Sequence, residues 1–205
     1  MHARFLLAVW LAAASGCKPS ERPPRPKDSA STSAANLFAP DPAFALTARA
    51  GPPPEVSDAP PGTNLAQRQL TQQAPAELQE ALFTRAVALP GVHVAPSRVS
   101  VPGARAFVLN ADAARGPAEA FQVETEFAHL HPADDGSLHM KLPLSVAAEA
   151  FTRGWGKPHP RSGTPLIFGP RDAAELEVVW QLLLRSYAWA REGRVVALRP
   201  GPAGR

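Results

Sequence analysis

The chain has 205 residues, of which 45% are apolar and 19% are charged, and its formal net charge is +3. This mild positive charge is spread along the chain, so it does not indicate a nucleic-acid-binding protein. A single cysteine excludes an internal disulfide framework and cysteine-rich zinc ribbons. Twenty-four prolines are too many for one compact domain of this length, so part of the chain is expected to be unfolded.

The first segment has the pattern of an export signal. A short basic start precedes an apolar run from Phe5 to Ala14, which is well below the about 20 residues that a membrane-spanning helix needs. Small residues then lead to Cys17, a pattern that resembles the lipobox of bacterial lipoproteins. Residues 1–16 are therefore predicted to be a lipoprotein signal peptide and Cys17 the lipidated residue. A plain secretory signal with a chance cysteine is the alternative.

Acylation of Cys17 would attach the chain to a lipid bilayer, because each buried methylene of an acyl chain contributes about 0.8 kcal/mol. Lys18 follows the cysteine. In proteobacterial lipoproteins an aspartate at that position tends to retain the protein in the inner membrane. We therefore expect a cell-envelope lipoprotein of the outer membrane that faces the periplasm.

A proline-rich segment follows the signal. Residues 17–64 are rich in Pro, Ser, Ala and Asp, and they have too few large apolar side chains to offset chain entropy. They are predicted to form a disordered tether, in which Phe38, Phe44 and Leu46 are interpreted as an incidental apolar cluster. Residues 65–195 are predicted to be the folded domain and residues 196–205 a flexible tail.

The predicted elements of the domain indicate the α+β class. Apolar spacing predicts a helix over residues 76–89, and a short helix opens at Pro143. A capping box from Asp172 to Glu175 begins a long last helix that ends near Gly193. We expect an antiparallel sheet with a central hairpin, packed against the long C-terminal helix and one or two shorter helices. The main predicted strands cover residues 106–109, 118–131, 137–142 and 165–168.

Three histidines are predicted to meet on this hairpin. Side chains alternate along a strand, so His129 and His131 share a face. If residues 132–136 form the loop, position 129 pairs with His139, and directly opposite residues face the same side about 5 Å apart. A slip of one residue would move His139 to the other face.

The same register assigns the neighbouring positions to the two faces of the hairpin. It places Phe127, Ser137 and Lys141 with the histidines. It places Glu126 on the opposite face, where a structural role is expected. The expected core face also carries Ala128, Leu130, Leu138 and Met140.

Three imidazoles on one surface suit a metal site, a proton-transfer site or a solvated polar face. Zinc and iron both accept imidazole ligands. The glutamate that follows the His-x-His pair of cupin-type iron sites is missing, and Asp134 and Asp135 stand there instead. The residues alone leave the three alternatives open.

The second half of the chain carries four separated motifs. They are Glu-x-Ala-His-x-His at 126–131, Asp-x-Ser-Leu-His at 135–139, Gly-Trp-Gly-x-x-His-Pro at 154–160 and Pro-Arg-Asp at 170–172. In this order they resemble the luciferase domain typified by fungal luciferases, and the similarity covers about residues 75–190 and is densest after residue 125. The fungal enzymes have a Gly/Pro-rich insertion where this chain has a short stretch between Pro160 and Leu166, so the substrate differs if that insertion shapes the pocket.

The resemblance implies a chemistry and a cofactor requirement. In the fungal enzymes this domain oxidises a hydroxylated pyrone with molecular oxygen, and no flavin or metal is known to be required. A cofactor-free oxygenase or acid–base enzyme for a small aromatic or enolic substrate is therefore expected. Bioluminescence is not, because activity does not automatically accompany a fold. The alternatives are a metal-dependent enzyme that uses the histidines and a noncatalytic ligand-binding envelope protein.

The resemblance also indicates candidate site residues. Histidine can take a proton from an acidic enol or phenol near neutral pH, and it can stabilise the resulting anion. Trp155 is a candidate for stacking on the substrate, with a core anchor as the alternative. Arg171 is a candidate for holding an anionic group, with a structural ion pair as the alternative. The catalytic candidates are His129, His131, His139 and His159.

Overall fold

The computed structural model describes residues 38–57 and 67–201. The predicted signal peptide, Cys17 and a large part of the predicted tether lie outside the described residues. Within the described ranges, no helix combines the length and the apolar character needed to cross a bilayer.

The described residues form a mixed α+β structure. The helices are α1 (Ala76–Val87), α2 (Leu144–Thr152) and α3 (Ala173–Glu192), with a 3₁₀ turn at Ala118–Ala120. The strands are β1 (Ala45–Leu46), β2 (Val56–Ser57), β3 (Arg68–Gln69), β4 (Val92–Pro96), β5 (Arg105–Leu109), β6 (Glu126–Leu130), β7 (Leu138–Met140), β8 (Gly156–Pro158), β9 (Pro165–Ile167) and β10 (Arg199–Pro200).

A six-stranded antiparallel sheet organises the domain, with the strand order β4-β5-β6-β7-β9-β8. Helix α1 contacts β4, and the long C-terminal helix α3 contacts β6. This is the predicted fold class, and β6 and β7 form the predicted central hairpin. Burial of the apolar face between sheet and helices provides the main favourable term for folding. Its fully buried side chains include Leu82, Phe107, Phe127, Leu130, Leu138 and Leu183.

Helix α3 begins and ends where its sequence predicts. The Asp172 side chain accepts a hydrogen bond from the Glu175 backbone N–H at 2.8 Å, which satisfies one of the free donors of the first turn. The Glu175 carboxylate accepts from the Arg171 backbone N–H at 2.9 Å, one residue before the position of a regular capping box. Gly193 ends the helix with φ of 67°, in the left-handed region that favours glycine.

The predicted strand over residues 118–131 is wrong in its first half. Residues 118–120 form the 3₁₀ turn, and β6 begins only at Glu126. A tight turn separates the two, with a bridge between Val123 and Glu126 and with Glu124 at φ of 50°. The apolar residues of this stretch therefore do not continue the strand.

Segments outside residues 65–195 also take part in the fold. Strand β1, from the predicted tether, pairs in parallel with β10, from the predicted tail, and Leu46 is fully buried. The buried Arg185 of α3 donates to the Asp41 carbonyl at 2.7 Å and lies 5.6 Å from the Phe44 ring. The apolar cluster that composition assigned to the tether is thus docked on α3. Pairing of two-residue strands leaves too little periodicity to be recognised in the sequence.

We expect Gly156→Ala to destabilise the domain by about 2–3 kcal/mol, because overpacking in a tight contact typically costs about 1–3 kcal/mol or more. A Cβ at this position would lie 2.1 Å from the Leu166 carbonyl oxygen, across the β8–β9 pair. Denaturant unfolding measures the change in the free energy of unfolding.

Gly163→Ala is the matched control. A Cβ there meets nothing within 4 Å, and its φ of +69° is the sole source of strain. Its expected cost is about 1 kcal/mol. Equal destabilisation by the two variants would contradict the contact-based explanation.

Candidate functional site

The β6–β7 hairpin brings the three predicted histidines together. His129 pairs directly with His139, and the His131 N–H donates to the Ser137 carbonyl at 2.9 Å, so the predicted register is confirmed. The ring centroids are 5.4 Å apart for His129 and His131, 5.3 Å for His129 and His139, and 5.2 Å for His131 and His139. All three side chains are buried. We call these three residues the histidine cluster.

A β-bulge changes the register next to the cluster. Phe107 of β5 pairs with Ala128, but Val108 pairs with Glu126, so β6 has one extra residue at Phe127. The Phe127 ring turns into the core, where it lies 6.4 Å from the Phe107 ring and 6.0 Å from that of Tyr187. The prediction that Phe127 shares the histidine face is therefore wrong.

The bulge also moves Glu126, which was predicted on the opposite face, to the histidines. Its Oε1 lies 2.7 Å from His129 Nδ1. Burial raises the pKa of Glu126 to about 7, although hydrogen bonds from the Ser97 hydroxyl and the Arg98 backbone act to lower it. Gln122 Nε2 lies 3.3 Å from His129 Nδ1 and donates to the His139 carbonyl at 3.2 Å. The ring of His129 is thus fixed by polar contacts on its Nδ1 side.

A second carboxylate holds His131. Asp135 Oδ2 lies 2.7 Å from His131 Nδ1, and neither side chain is exposed. Asp135 Oδ1 accepts the backbone N–H groups of Ser137 and Gln69 at 3.0 and 3.3 Å. Burial acts to raise the pKa of Asp135, but its hydrogen bonds and its charge interaction with His131 outweigh burial and lower it. A charged carboxylate therefore orients the His131 ring.

Burial favours the neutral form of two of the three rings, His129 and His139. It lowers the pKa of both His129 and His139 well below the ordinary value, and the neighbouring histidines lower both further. A neutral imidazole has one N–H donor and one lone pair. Within the cluster, His129 Nε2, His131 Nε2 and His139 Nδ1 are buried and have no hydrogen-bond partner among the described residues.

The fourth catalytic candidate, His159, joins the cluster from the loop after β8. Its ring centroid lies 5.5 Å from that of His139. Its Nδ1 accepts the backbone N–H groups of Arg161 and Ser162, both at 3.2 Å. Burial, followed by the charge of Arg161, lowers its pKa. All four predicted histidines therefore lie in one continuous group.

A cavity of about 760 Å³ opens on this group. His129, His139 and His159 line it, while His131 lies behind them. Its wall also carries cationic side chains, and no acidic residue is among its described lining. Side chains on separate loops complete it, including Arg98 and Gln122, which sequence spacing could not connect with the hairpin. The cationic side chains are those of Arg98, Lys141 and Arg161.

The structure does not bring the two predicted substrate-binding residues to this cavity. Trp155 is buried in the core, and its Nε1 donates to the Thr47 carbonyl at 2.7 Å. Arg171 forms an ion pair with Glu175 and donates to the Ala50 carbonyl at 2.8 Å. The core anchor and the structural ion pair, which were the alternatives for these residues, describe the observed contacts.

We expect Asp135→Ala to lower the free energy of unfolding by roughly 3 kcal/mol or more, because it leaves buried donors of Gln69 and Ser137 without an acceptor and releases His131. The neighbouring Asp134→Ala is the control. Its side chain is 70% exposed and pairs with Arg68, so its expected cost is below about 1 kcal/mol. Urea unfolding of both variants checks this, and an equal loss would contradict the role given to Asp135.

Part of the chain that contains the site is similar to known proteins. Residues 124–186 match the family model described as Luciferase domain. The luciferases of Armillaria gallica, Armillaria mellea and Armillaria ostoyae are each 30% identical to this chain over 77 residues, which is 33% of this chain and 29% of each relative. The chain thus spans about three tenths of the length of these relatives.

No solved structure matches the chain. The matched segment, residues 124–186, contains the whole hairpin, all four histidines of the site and α3 as far as Ser186. The similarity is thus concentrated on the elements that build the cavity. Over residues 124–186 the chain is similar to the luciferase-domain family.

Proposed function

We propose that this domain is an enzyme that binds a small, negatively charged aromatic or enolic compound in the cavity and promotes its reaction with molecular oxygen. One observation carries the proposal. The cavity is lined by imidazoles and cationic side chains, and no described lining residue is a carboxylate. The similarity to luciferases supports oxygen as the co-substrate.

The charge of the cavity wall supports an anionic substrate. The Lys141 backbone N–H donates to the Phe127 carbonyl at 2.9 Å, but its ammonium group makes no hydrogen bond or ion pair within the described ranges. Burial lowers its pKa, against the opposing charge of Glu119. An anion bound beside Lys141 would favour the charged form of the ammonium group and so oppose the effect of burial on its pKa. Arg98 also lines the cavity, although its guanidinium forms an exposed ion pair with Glu124.

His129 is the best-placed base. Glu126 accepts at Nδ1, so in the neutral ring the proton stays on Nδ1 and the lone pair of Nε2 is free to take a proton. The residue lines the cavity, whereas His131 lies behind it. Proton removal from an acidic enol or phenol therefore falls to His129 Nε2.

His159 has the complementary role of hydrogen-bond donor. Its Nδ1 already accepts two backbone N–H groups, so in the neutral ring the proton lies on Nε2. A donor at the cavity wall stabilises negative charge as it develops on a bound oxygen. Lys141 and His159 would share this stabilisation.

The proposed reaction is a two-electron oxidation of the substrate carbon. Loss of the enol or phenol proton gives a delocalised anion. That anion gives two electrons to molecular oxygen, a carbon–oxygen bond forms, and the oxygen is reduced to the level of a hydroperoxide. The proton taken from the substrate can return to the distal oxygen, so atoms and charge balance without a further reductant.

We expect oxygen uptake by the purified protein with hydroxypyrones or catechols. His129→Ala removes the proposed base, and His139→Ala removes the ring that contacts both His129 and His159, so each should lower uptake at least about 100-fold. Loss of a positioned acid or base typically costs this much or more. An oxygen electrode measures the rate, and circular dichroism checks that the variants are folded.

His93→Ala is the matched control for these variants. His93 is exposed on β4, and its Nδ1 contacts Asn110 at 3.0 Å. Its uptake should equal that of the unaltered protein. Substrate binding without uptake would indicate a noncatalytic ligand-binding protein instead, and full uptake in both cluster variants would reject the proposed site.

We also propose that the chain is attached to the bacterial outer membrane through an acylated Cys17. The lipobox-like pattern supports this anchoring. The Pro-rich segment after it would separate the domain from the bilayer surface.

Expression with labelled palmitate in a bacterial host tests the anchor. The label should be incorporated into the chain and lost in Cys17→Ser, since the thiol is the site of acylation. The variant should also leave the membrane fraction. A Cys17→Ser protein that keeps the label or stays with the membranes would contradict lipidation at this residue.

A further inference from the structure

The histidine cluster contains three buried ring nitrogens that nothing in the described structure satisfies. They are His129 Nε2, His131 Nε2 and His139 Nδ1. The three side chains are 1%, 0% and 5% exposed. A single buried polar atom without a partner costs about 1–3 kcal/mol, so three at one place indicate an occupant that binds them all.

His129 and His131 each have a carboxylate at Nδ1, an arrangement that is typical of metal-binding histidines. Glu126 and Asp135 each lie 2.7 Å from the Nδ1 atom of their histidine. A carboxylate at Nδ1 fixes the tautomer, orients the ring and makes the other nitrogen a better electron donor. Both Nε2 atoms therefore lie on the side of the ring away from the carboxylate, and each has its lone pair available.

The spacing of the rings fits one ion. One ring nitrogen from each of the three histidines lies within 4.8 Å of those from the other two. A central point is then at most about 2.8 Å from each nitrogen, against about 2.0–2.1 Å for a zinc–nitrogen bond. Small ring rotations close this gap of less than about 1 Å.

A water molecule is a poorer occupant than a cation. Water has two hydrogens, so it can donate to two of the three lone pairs and leaves the third unsatisfied. A cation accepts electron density from all three nitrogens at once. The charged carboxylate of Asp135 lies behind His131 and favours a divalent ion, and Glu126 behind His129 adds to this charge in its ionised form.

We propose that His129, His131 and His139 bind one divalent transition-metal ion, of the zinc or iron(II) type, at the floor of the cavity. Three imidazoles on one side leave a coordination position open toward the cavity and His159, which is typical of catalytic rather than structural metal sites. This inference deepens the proposed function, and the catalytic role of the ion rests on that function. With the ion bound, His129 Nε2 would be a ligand and no longer the free base. The ion would instead acidify an enolic substrate bound to it.

Titration of the metal-stripped full chain with Co²⁺ tests the site without any substrate. We expect one ion per chain, visible absorption bands of cobalt bound to nitrogen ligands, and a higher unfolding temperature. Mass spectrometry should find zinc or iron at close to one equivalent in protein that has not been stripped.

His131→Ala is the most informative variant, because His131 is a proposed ligand that does not line the cavity. It should lose the absorption bands and at least about 100-fold in affinity. Glu126→Gln keeps all three ligands and should weaken binding about 10–100-fold. His93→Ala is the control and should bind cobalt like the unaltered chain.

Failure of the unaltered chain to bind cobalt would overturn the proposal, whatever the folding of the variants. Undiminished binding by a folded His131→Ala would overturn it as well. The metal site and the proposed function can fail independently. Oxygen uptake by a metal-stripped protein that does not bind cobalt would support the enzyme and reject the metal site. Cobalt binding without oxygen uptake would support the metal site and reject the enzyme.

Discussion

Pairing of His129 with His139 across the β6–β7 hairpin is the contact on which the site depends. Because opposite residues on antiparallel strands face the same side, this one register brings three imidazoles together. The five-residue turn between the strands sets the register, and Asp135 within that turn binds back to His131 and to the backbone of Ser137. The hairpin thus stabilises its own turn with the same carboxylate that orients a site residue.

Local periodicity was sufficient to predict the part of the site that lies on the hairpin. Alternation along β6, together with the loop length, predicts that the three cluster histidines share a face, and no distant contact is needed for this inference. The capping residues of α3 are predictable for the same reason, since Asp172 and Glu175 lie three residues apart and interact within one turn. The family resemblance extended the prediction to His159, whose loop lies outside the hairpin.

Contacts between distant segments account for what the sequence could not reveal. The bulge that turns Glu126 toward His129 is a property of the pairing between β5 and β6, so the spacing within β6 does not reveal it. Gln122 and Arg98 reach the cavity from loops, where no periodicity constrains side-chain direction. Phe44 and Leu46 dock on the domain through β1, which is only two residues long. A short apolar group in a Pro-rich segment has the same composition whether or not it is docked.

The extra residue at Phe127 decides which side chains of β6 face the histidines. The charge around the histidine cluster therefore depends on the number of residues in the strand as well as on their types. If the same residues followed strict alternation without the bulge, the phenyl ring and the carboxylate would exchange sides of the sheet. The core would then receive a charge and the imidazoles would receive a hydrocarbon. Insertions and deletions in homologous strands would therefore be expected to change the chemistry of such a site more than many substitutions do.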